Sequence, residues 1–319
     1  MYLITGGAGF IGSNLARALV RDGERVRIFD DFSSGTLDNL DGIRDRVEII
    51  EGDLRDERAV ARAMQGVTYV AHQGALRSVE RSVDDPLSSD AVNVHGTLHV
   101  LMAARDTPGV KRVVYASSSS VYGENPTLPK VEDQTPAPVS PYAVSKLAGE
   151  LYCRVFSKLY GVETVSLRYF NVFGPYQSPQ SRYAAVIPLF MRAAFDGQPL
   201  EIHGDGEQSR DFTYIDNVVD ANRLALTTPG VGGTVFNVAC NERHSLLDIV
   251  AVLERLIGHA LPRRHVGPRR GDVRHTQASI EHINSKLGFR PSVGFEDGLR
   301  RTWEWFSEAA RSAERRGSA

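Results

Sequence analysis

At 319 residues, 42% hydrophobic and 24% charged, with a formal net charge of -2, the chain has the composition of an ordinary soluble globular protein long enough for two packed units. Its 37 basic and 39 acidic residues are interspersed, which excludes the basic footprint of a nucleic-acid binder, and no apolar run approaches the length of a membrane span. Two widely separated cysteines, Cys153 and Cys240, exclude a disulfide framework; with an amino terminus that enters an apolar strand directly, they point to a cytoplasmic protein with reduced thiols.

Tyr2 to Thr5 is a short apolar run broken at Gly6-Gly7-Ala8-Gly9-Phe10-Ile11-Gly12, after which Leu15, Ala16, Leu19 and Val20 recur at helical spacing. In a strand, glycine turn and helix of this kind, glycine lets the backbone turn sharply and admit a pyrophosphate, which then faces the helix N-terminus. A second strand, Arg25 to Phe29, ends at Asp30, where a carboxylate meets the adenosine ribose hydroxyls and repels a 2'-phosphate. NAD is therefore favoured over NADP. Asp31, Ser33 and Gly35, in the loop that follows, are assigned to the same cofactor site. Val47 to Ile50 and Thr68 to Ala71 read as further strands, with a helix at Arg58 to Met64 between them; Asp53 and Leu54 close the third strand beside the adenine.

A long helix near Pro86 to Ala104 leads to the strand Val110 to Ala116, and a helix carrying Tyr142 leads to the strand Thr164 to Tyr169. This alternation predicts an α/β fold, a doubly wound parallel Rossmann sheet over 1–172 that binds ligands at its carboxyl edge. A smaller C-terminal substrate-binding unit follows over 173–307. It holds a helix at Ile187 to Ala194, a turn-rich stretch from Gly204 to Arg210, an apolar run from Val235 to Ala239 that rejoins the main sheet, a helix at Leu246 to Ile257 and a basic loop from Arg263 to Arg274. The polar residues from Glu308 to Ala319 are expected to fray.

Tyr142-Ala143-Val144-Ser145-Lys146 puts a phenol and an ammonium at i and i+4 on one helix face. A cation held near a phenol favours the phenolate, so Lys146 is expected to lower the Tyr142 pKa and make it a base. Alone, the pentapeptide is read equally well as a surface helix. His72, His95 and His275 have no ligand-spaced partner, and no metal site is expected.

With the glycine turn, the serine run Ser117 to Ser120 and Tyr-x-x-x-Lys together, the chain resembles the extended short-chain dehydrogenase/reductases, most nearly the UDP-galactose and UDP-N-acetylglucosamine 4-epimerases. The likeness extends to Leu167-Arg168-Tyr169-Phe170-Asn171, Gly204 to Tyr214 and Arg270 to His275. It implies that Ser118 hydrogen-bonds the sugar O4, Tyr142 is the base, and Lys146 binds the nicotinamide ribose. It further implies that Asn93, Tyr169 and Gln73 stand in the cofactor site, although Gln73-Gly74 departs from the more apolar dipeptide usual there. Ser119 is placed beside the sugar, Asn171 at the UDP diphosphate, and Ala185, Val186 and Ile202 around uracil. Arg210 and Arg269 would meet phosphates and Asp272 the uridine ribose. The implied partners are a UDP-sugar and a second copy of the chain, joined through helices near 86–104 and 141–158.

Sugar-nucleotide 4,6-dehydratases and decarboxylases resemble one another in carrying acids where this chain has Ser119 and Ser120, and a non-catalytic NAD-binding sensor is a third reading. Among the epimerase substrates, small Thr276 leaves room for an N-acetyl group. Arg77 and Arg192 suit the carboxylate of UDP-glucuronate, so glucose, N-acetylglucosamine and glucuronate forms stay open.

Overall fold

The computed structural model describes the backbone of residues 1–180, 184–267 and 274–317. The strands β1 (Tyr2–Thr5), β2 (Val26–Asp30), β3 (Val47–Glu51), β4 (Tyr69–His72), β5 (Arg112–Ser118) and β6 (Thr164–Tyr169) lie parallel with a seventh, Thr234–Val238. The order across the sheet is seventh strand, β6, β5, β4, β1, β2, β3. The chain therefore winds outward both ways from β1 and β4, and the loops at their carboxyl ends diverge to open a crevice.

Side-chain alternation divides the core between the two faces of the sheet. Val113 and Tyr115 of β5 join Leu3, Phe29 and Val70 in one cluster, beneath helices Glu57–Ala63, Gly96–Asp106 and Pro141–Tyr160. Val114 and Ala116 join Ile4, Ile28 and Leu167 in the other, beneath helices Phe10–Arg21 and Ile215–Thr227. With both faces covered, the strands read as apolar runs. The C-terminal unit is thus interleaved with the first, since helix Ile215–Thr227 packs on the main sheet beside helix Phe10–Arg21. None of the described helices is long and apolar enough to cross a membrane.

The expected helical stretch from Pro86 is present as a helix Pro86–Asp90, one wider π turn Ala91–His95 and a helix Gly96–Asp106; such turns carry no composition signal. Two expectations are corrected. The basic loop from Arg263 begins as a strand, Arg263–Val266, parallel to Leu200–His203. It lies largely exposed, so no apolar alternation marked it. The terminal segment does not fray at Glu308, because helix Phe295–Gly317 runs through it with Phe306 and Ala310 against the core and Arg300 paired to Glu304 at 2.7 Å.

Candidate active site

The carboxyl edge of the sheet walls a cavity of about 260 Å³. Gly6, Gly9 and Gly12 form one corner with Phe10 and Ile11. Gly6 has a φ of 65°, and a Cβ there would meet the Gly74 backbone at 2.7 Å; one on Gly12 would collide with the Gly6 carbonyl. Helix Phe10–Arg21 starts without a side-chain cap, which leaves its first amides for an anion. Asp30 is held by Ala8 N–H and Phe32 N–H, both at 2.9 Å, and burial raises its pKa against those bonds. A carboxylate retains further acceptor capacity for ribose hydroxyls. Asp31, Ser33, Asp53 and Leu54 continue the wall, Asp53 being bound by the Arg55 guanidinium at 2.9 Å. An amide-rich helix end, an acid beyond it and a cavity running from both to Tyr142 and Lys146 fit NAD.

Two assignments to that wall change. Gly35 is buried and packs on the Ala8 backbone, where a Cβ would stand 2.7 Å away, so it seats the loop on the glycine turn. Asn93, 1% exposed, spends its amide on Leu76 N–H at 2.8 Å, the Leu76 carbonyl at 3.0 Å and the Ser145 hydroxyl at 3.0 Å. It therefore ties the loop after β4 to the helix of Tyr142.

That helix, Pro141–Tyr160, begins where Ser140 accepts from Ala143 N–H at 3.2 Å and stops at Gly161 with a φ of 70°. Lys146 Nζ stands 5.9 Å from the Tyr142 ring centroid and donates to the Ala116 carbonyl at 2.8 Å. Burial lowers the Lys146 pKa to about 8, with Cys153 and Glu150 opposing. Burial also raises the Tyr142 phenol, against a hydrogen bond from Ser118 and the field of Arg77. Among the protein's own groups, the expected lowering by Lys146 is thus replaced by burial as the largest effect and Arg77 as the opposing cation. The Ser118 hydroxyl accepts from Ser120 Oγ at 2.9 Å and Ser120 N–H at 3.2 Å, which directs its own O–H toward Tyr142. Ser120, rather than Ser119, makes this contact, and Ser119 lies off the cavity wall.

Gln73 and Tyr169 share a buried polar cluster with Asn222, which reaches in from helix Ile215–Thr227. Asn222 donates to the Tyr169 hydroxyl at 2.9 Å, and Gln73 donates to Asn222 at 3.0 Å. Sequence spacing gave no sign of Asn222, because the helix bearing it follows the sheet strands by some fifty residues.

A second cavity of about 430 Å³ adjoins the first, and Asn171 and Val172 line both. Asn171 has a φ of 33°, an uncommon backbone state that asparagine tolerates, and donates to the Asp211 carbonyl at 3.3 Å and to Thr276 Oγ1 at 3.4 Å. Ala185, Val186, Leu189, Phe190 and Arg210 form its largely apolar wall. Ile202 does not line it: its side chain is fully buried in the core, and its neighbours Glu201 and His203 face the cavity instead. Arg192 is also removed, since its half-exposed side chain pairs outward with Asp196 at 2.5 Å. Thr276 stands behind Asn171, and Arg77 lines the first cavity. Arg269 and Asp272 lie outside the described residues. Among the described residues no three His, Cys, Asp or Glu side chains form a group able to hold a metal ion.

Comparison with known proteins gives a consistent set. The model of the NAD dependent epimerase/dehydratase family matches residues 2–239. The UDP-glucose 4-epimerase of Mycolicibacterium smegmatis is 37% identical over 308 residues, 95% of this chain and 97% of that protein. The structure of UDP-N-acetylglucosamine 4-epimerase from Methanobrevibacter ruminantium in complex with UDP-N-acetylmuramic acid aligns with a TM-score of 0.92 at 38% identity, over 97% of this chain and 98% of the other. That of UDP-glucuronic acid 4-epimerase from Bacillus cereus with UDP-glucuronic acid and NAD aligns at 0.89 and 32%, over 97% and 99%.

Proposed function

Because the chain belongs to the NAD dependent epimerase/dehydratase family, we propose that it inverts C4 of a UDP-hexose with NAD as its cofactor. The observation that carries this reading is the convergence of Ser118, Tyr142 and Lys146 on the cavity that also holds the glycine turn and Asp30. In the proposed reaction Tyr142 takes the proton from the sugar O4 while the Ser118 O–H orients that oxygen. NAD held by the glycine turn, Asp30 and Lys146 would supply a reversible hydride acceptor for C4, and the chain's residues keep the sugar within its reach. Lys146 holds the nicotinamide ribose side of the cavity. Tyr142 then gives the proton back to O4, and because the hydride taken from C4 also comes back to the sugar, the reaction consumes no external reductant.

The second cavity takes the nucleotide. Val186, Leu189 and Phe190 supply its apolar side for uracil, while Arg210 and Asn171 face the diphosphate. Thr276, hydrogen-bonded to Asn171 and off both cavity walls, puts no bulk against an N-acetyl group, and Arg77 alone of the two named arginines remains for a sugar carboxylate. UDP-glucose, UDP-N-acetylglucosamine and UDP-glucuronate are accordingly the substrates to compare. Elimination or decarboxylation is less well supported, because Ser119 and Ser120 offer no carboxylate beside the sugar. A sensor without turnover has no use for a retained Tyr-x-x-x-Lys pair facing the cofactor cavity.

The quaternary part of the proposal is a homodimer in the cytoplasm. Val144, Leu151, Val155 and Leu159 form an exposed stripe on helix Pro141–Tyr160, beside exposed Val83 and Leu87 on the helices packed against it. Two such helical faces related by a two-fold axis bury one another as a four-helix bundle. The test of function is incubation with each of the three UDP-sugars and detection of the C4 epimer by proton NMR. Tyr142→Phe should abolish the epimer while leaving NAD bound; turnover by that variant at the wild-type rate would reject the assignment.

A further inference from the structure

Arg77, which the sequence suggested for a sugar carboxylate, lines the cavity that holds Tyr142. We propose that Arg77 is a second cation for Tyr142, holding the phenolic oxygen anionic together with Lys146. The proposal rests on Tyr142 being the base.

Three observations carry it. Arg77 lines the same cavity as Tyr142, Ser118 and Lys146. Its backbone is fixed there. The preceding residue, Leu76, has both its N–H and its carbonyl bound by the Asn93 amide, and Asn93 also donates to Ser145, three residues along from Tyr142. On the other side Ser78 takes a φ of 106°, a strained conformation for a residue with a side chain, and then caps helix Val79–Asp84 by accepting from Arg81 N–H at 3.2 Å. Ser82 of that helix accepts from Tyr142 N–H at 3.0 Å, so loop and catalytic helix are bound to each other at two points.

The third observation is electrostatic. Lys146 is directed at the Ala116 carbonyl, and burial brings its pKa to about 8, so its charge fades just above neutrality. A guanidinium does not titrate in that range. The charged and titratable groups facing Tyr142 are Arg77 from the loop after β4, Tyr115 from β5 and Lys146 from its own helix, with Glu150 beyond them in contact with the fields of Tyr115 and Lys146. Glu150 is itself neutralised by Arg168 at 2.8 Å. Among the described residues, Tyr142 is the titratable partner of Arg77. Its field and the Ser118 hydrogen bond oppose the effect of burial on the phenol.

The test is ultraviolet titration of tyrosinate in the NAD-loaded protein, with the Tyr142→Phe variant subtracted to isolate the one phenol. Arg77→Gln should move the Tyr142 midpoint up by about one pH unit, and Arg77→Lys by much less. Activity on UDP-glucose, whose sugar is uncharged, should then fall about tenfold on the acid side of the profile and little on its plateau. Arg77→Met takes the place of the glutamine variant if that does not fold. An unmoved midpoint, with loss confined to an acidic sugar, would overturn the proposal and make Arg77 a reader of the substrate carboxylate. A moved midpoint without epimerisation of any UDP-sugar would leave this inference standing and remove the proposed function.

Discussion

Lys146 Nζ donates to the Ala116 carbonyl at 2.8 Å, at the carboxyl end of β5, although Tyr142 is one helical turn away. The ammonium is thereby fixed at the floor of the cavity, 5.9 Å from the Tyr142 ring centroid. Lys146→Met removes the charge but keeps the volume of the stem. It should lower kcat roughly 10²–10³-fold, in the range of a positioned proton-transfer partner, and weaken NAD retention. Steady-state kinetics and the NAD content of the purified protein measure the two effects.

Glu150 and Arg168 form a pair in which each side chain is only 4% exposed, and Glu150 also accepts from Ser117 at 2.5 Å. The β5–β6 register sets Ser117 beside Arg168 and Ser118 beside Tyr169, so this pair locks the catalytic helix to the strand ends that carry the site. Glu150→Ala leaves a buried guanidinium without its anion and should cost about 3–5 kcal/mol in urea denaturation. Adding Arg168→Met should restore part of that loss. An additive double mutant would show that the two do not interact.

Asp211 is fully buried and accepts from Cys240 N–H at 2.8 Å and Ala278 N–H at 3.2 Å, joining two segments behind Asn171. Burial raises its pKa from the ordinary carboxylate value of 3.8 to about 7. The folded state then binds this proton more tightly than the unfolded chain, so stability from Asp211 is full below pH 3.8 and is lost as pH rises to about 7. Asp211→Asn carries no such dependence. The stability difference between wild type and variant should shift against wild type, on the order of 3 kcal/mol, between pH 4 and pH 7.5. Chemical denaturation across that range reads it, and a flat difference would contradict the assignment.

Leu159 is 67% exposed and Leu151 46% exposed on the stripe proposed to pair two copies. Leu151→Asp together with Leu159→Lys should convert a dimer to a monomer in sedimentation velocity. The sites lie on the outer face of the helix, so the monomer should keep its NAD.

What could be read from the chain was whatever local spacing encodes. The glycine turn, Asp30 at a strand end and the i, i+4 pair of Tyr142 and Lys146 each fall within one element, so their relative placement follows from helix and strand geometry. Residues whose role depends on long-range register were not legible. Ile202 and Glu201 exchange roles because the strand Leu200–His203 pairs with an exposed partner whose sequence shows no alternation. Arg192 faces solvent, where Asp196, one turn on, takes its guanidinium. Asn222 and Asp211 enter through the interleaving of the C-terminal segments with the main sheet, which no local pattern announces.

In the proposed reaction a hydride leaves C4 and comes back within one site. A UDP-hexose deuterated at C4, incubated in ordinary water with the protein and no added reductant, should yield the C4 epimer with its deuterium retained, as read by NMR. Epimer with the label exchanged for solvent hydrogen would contradict transient oxidation at C4.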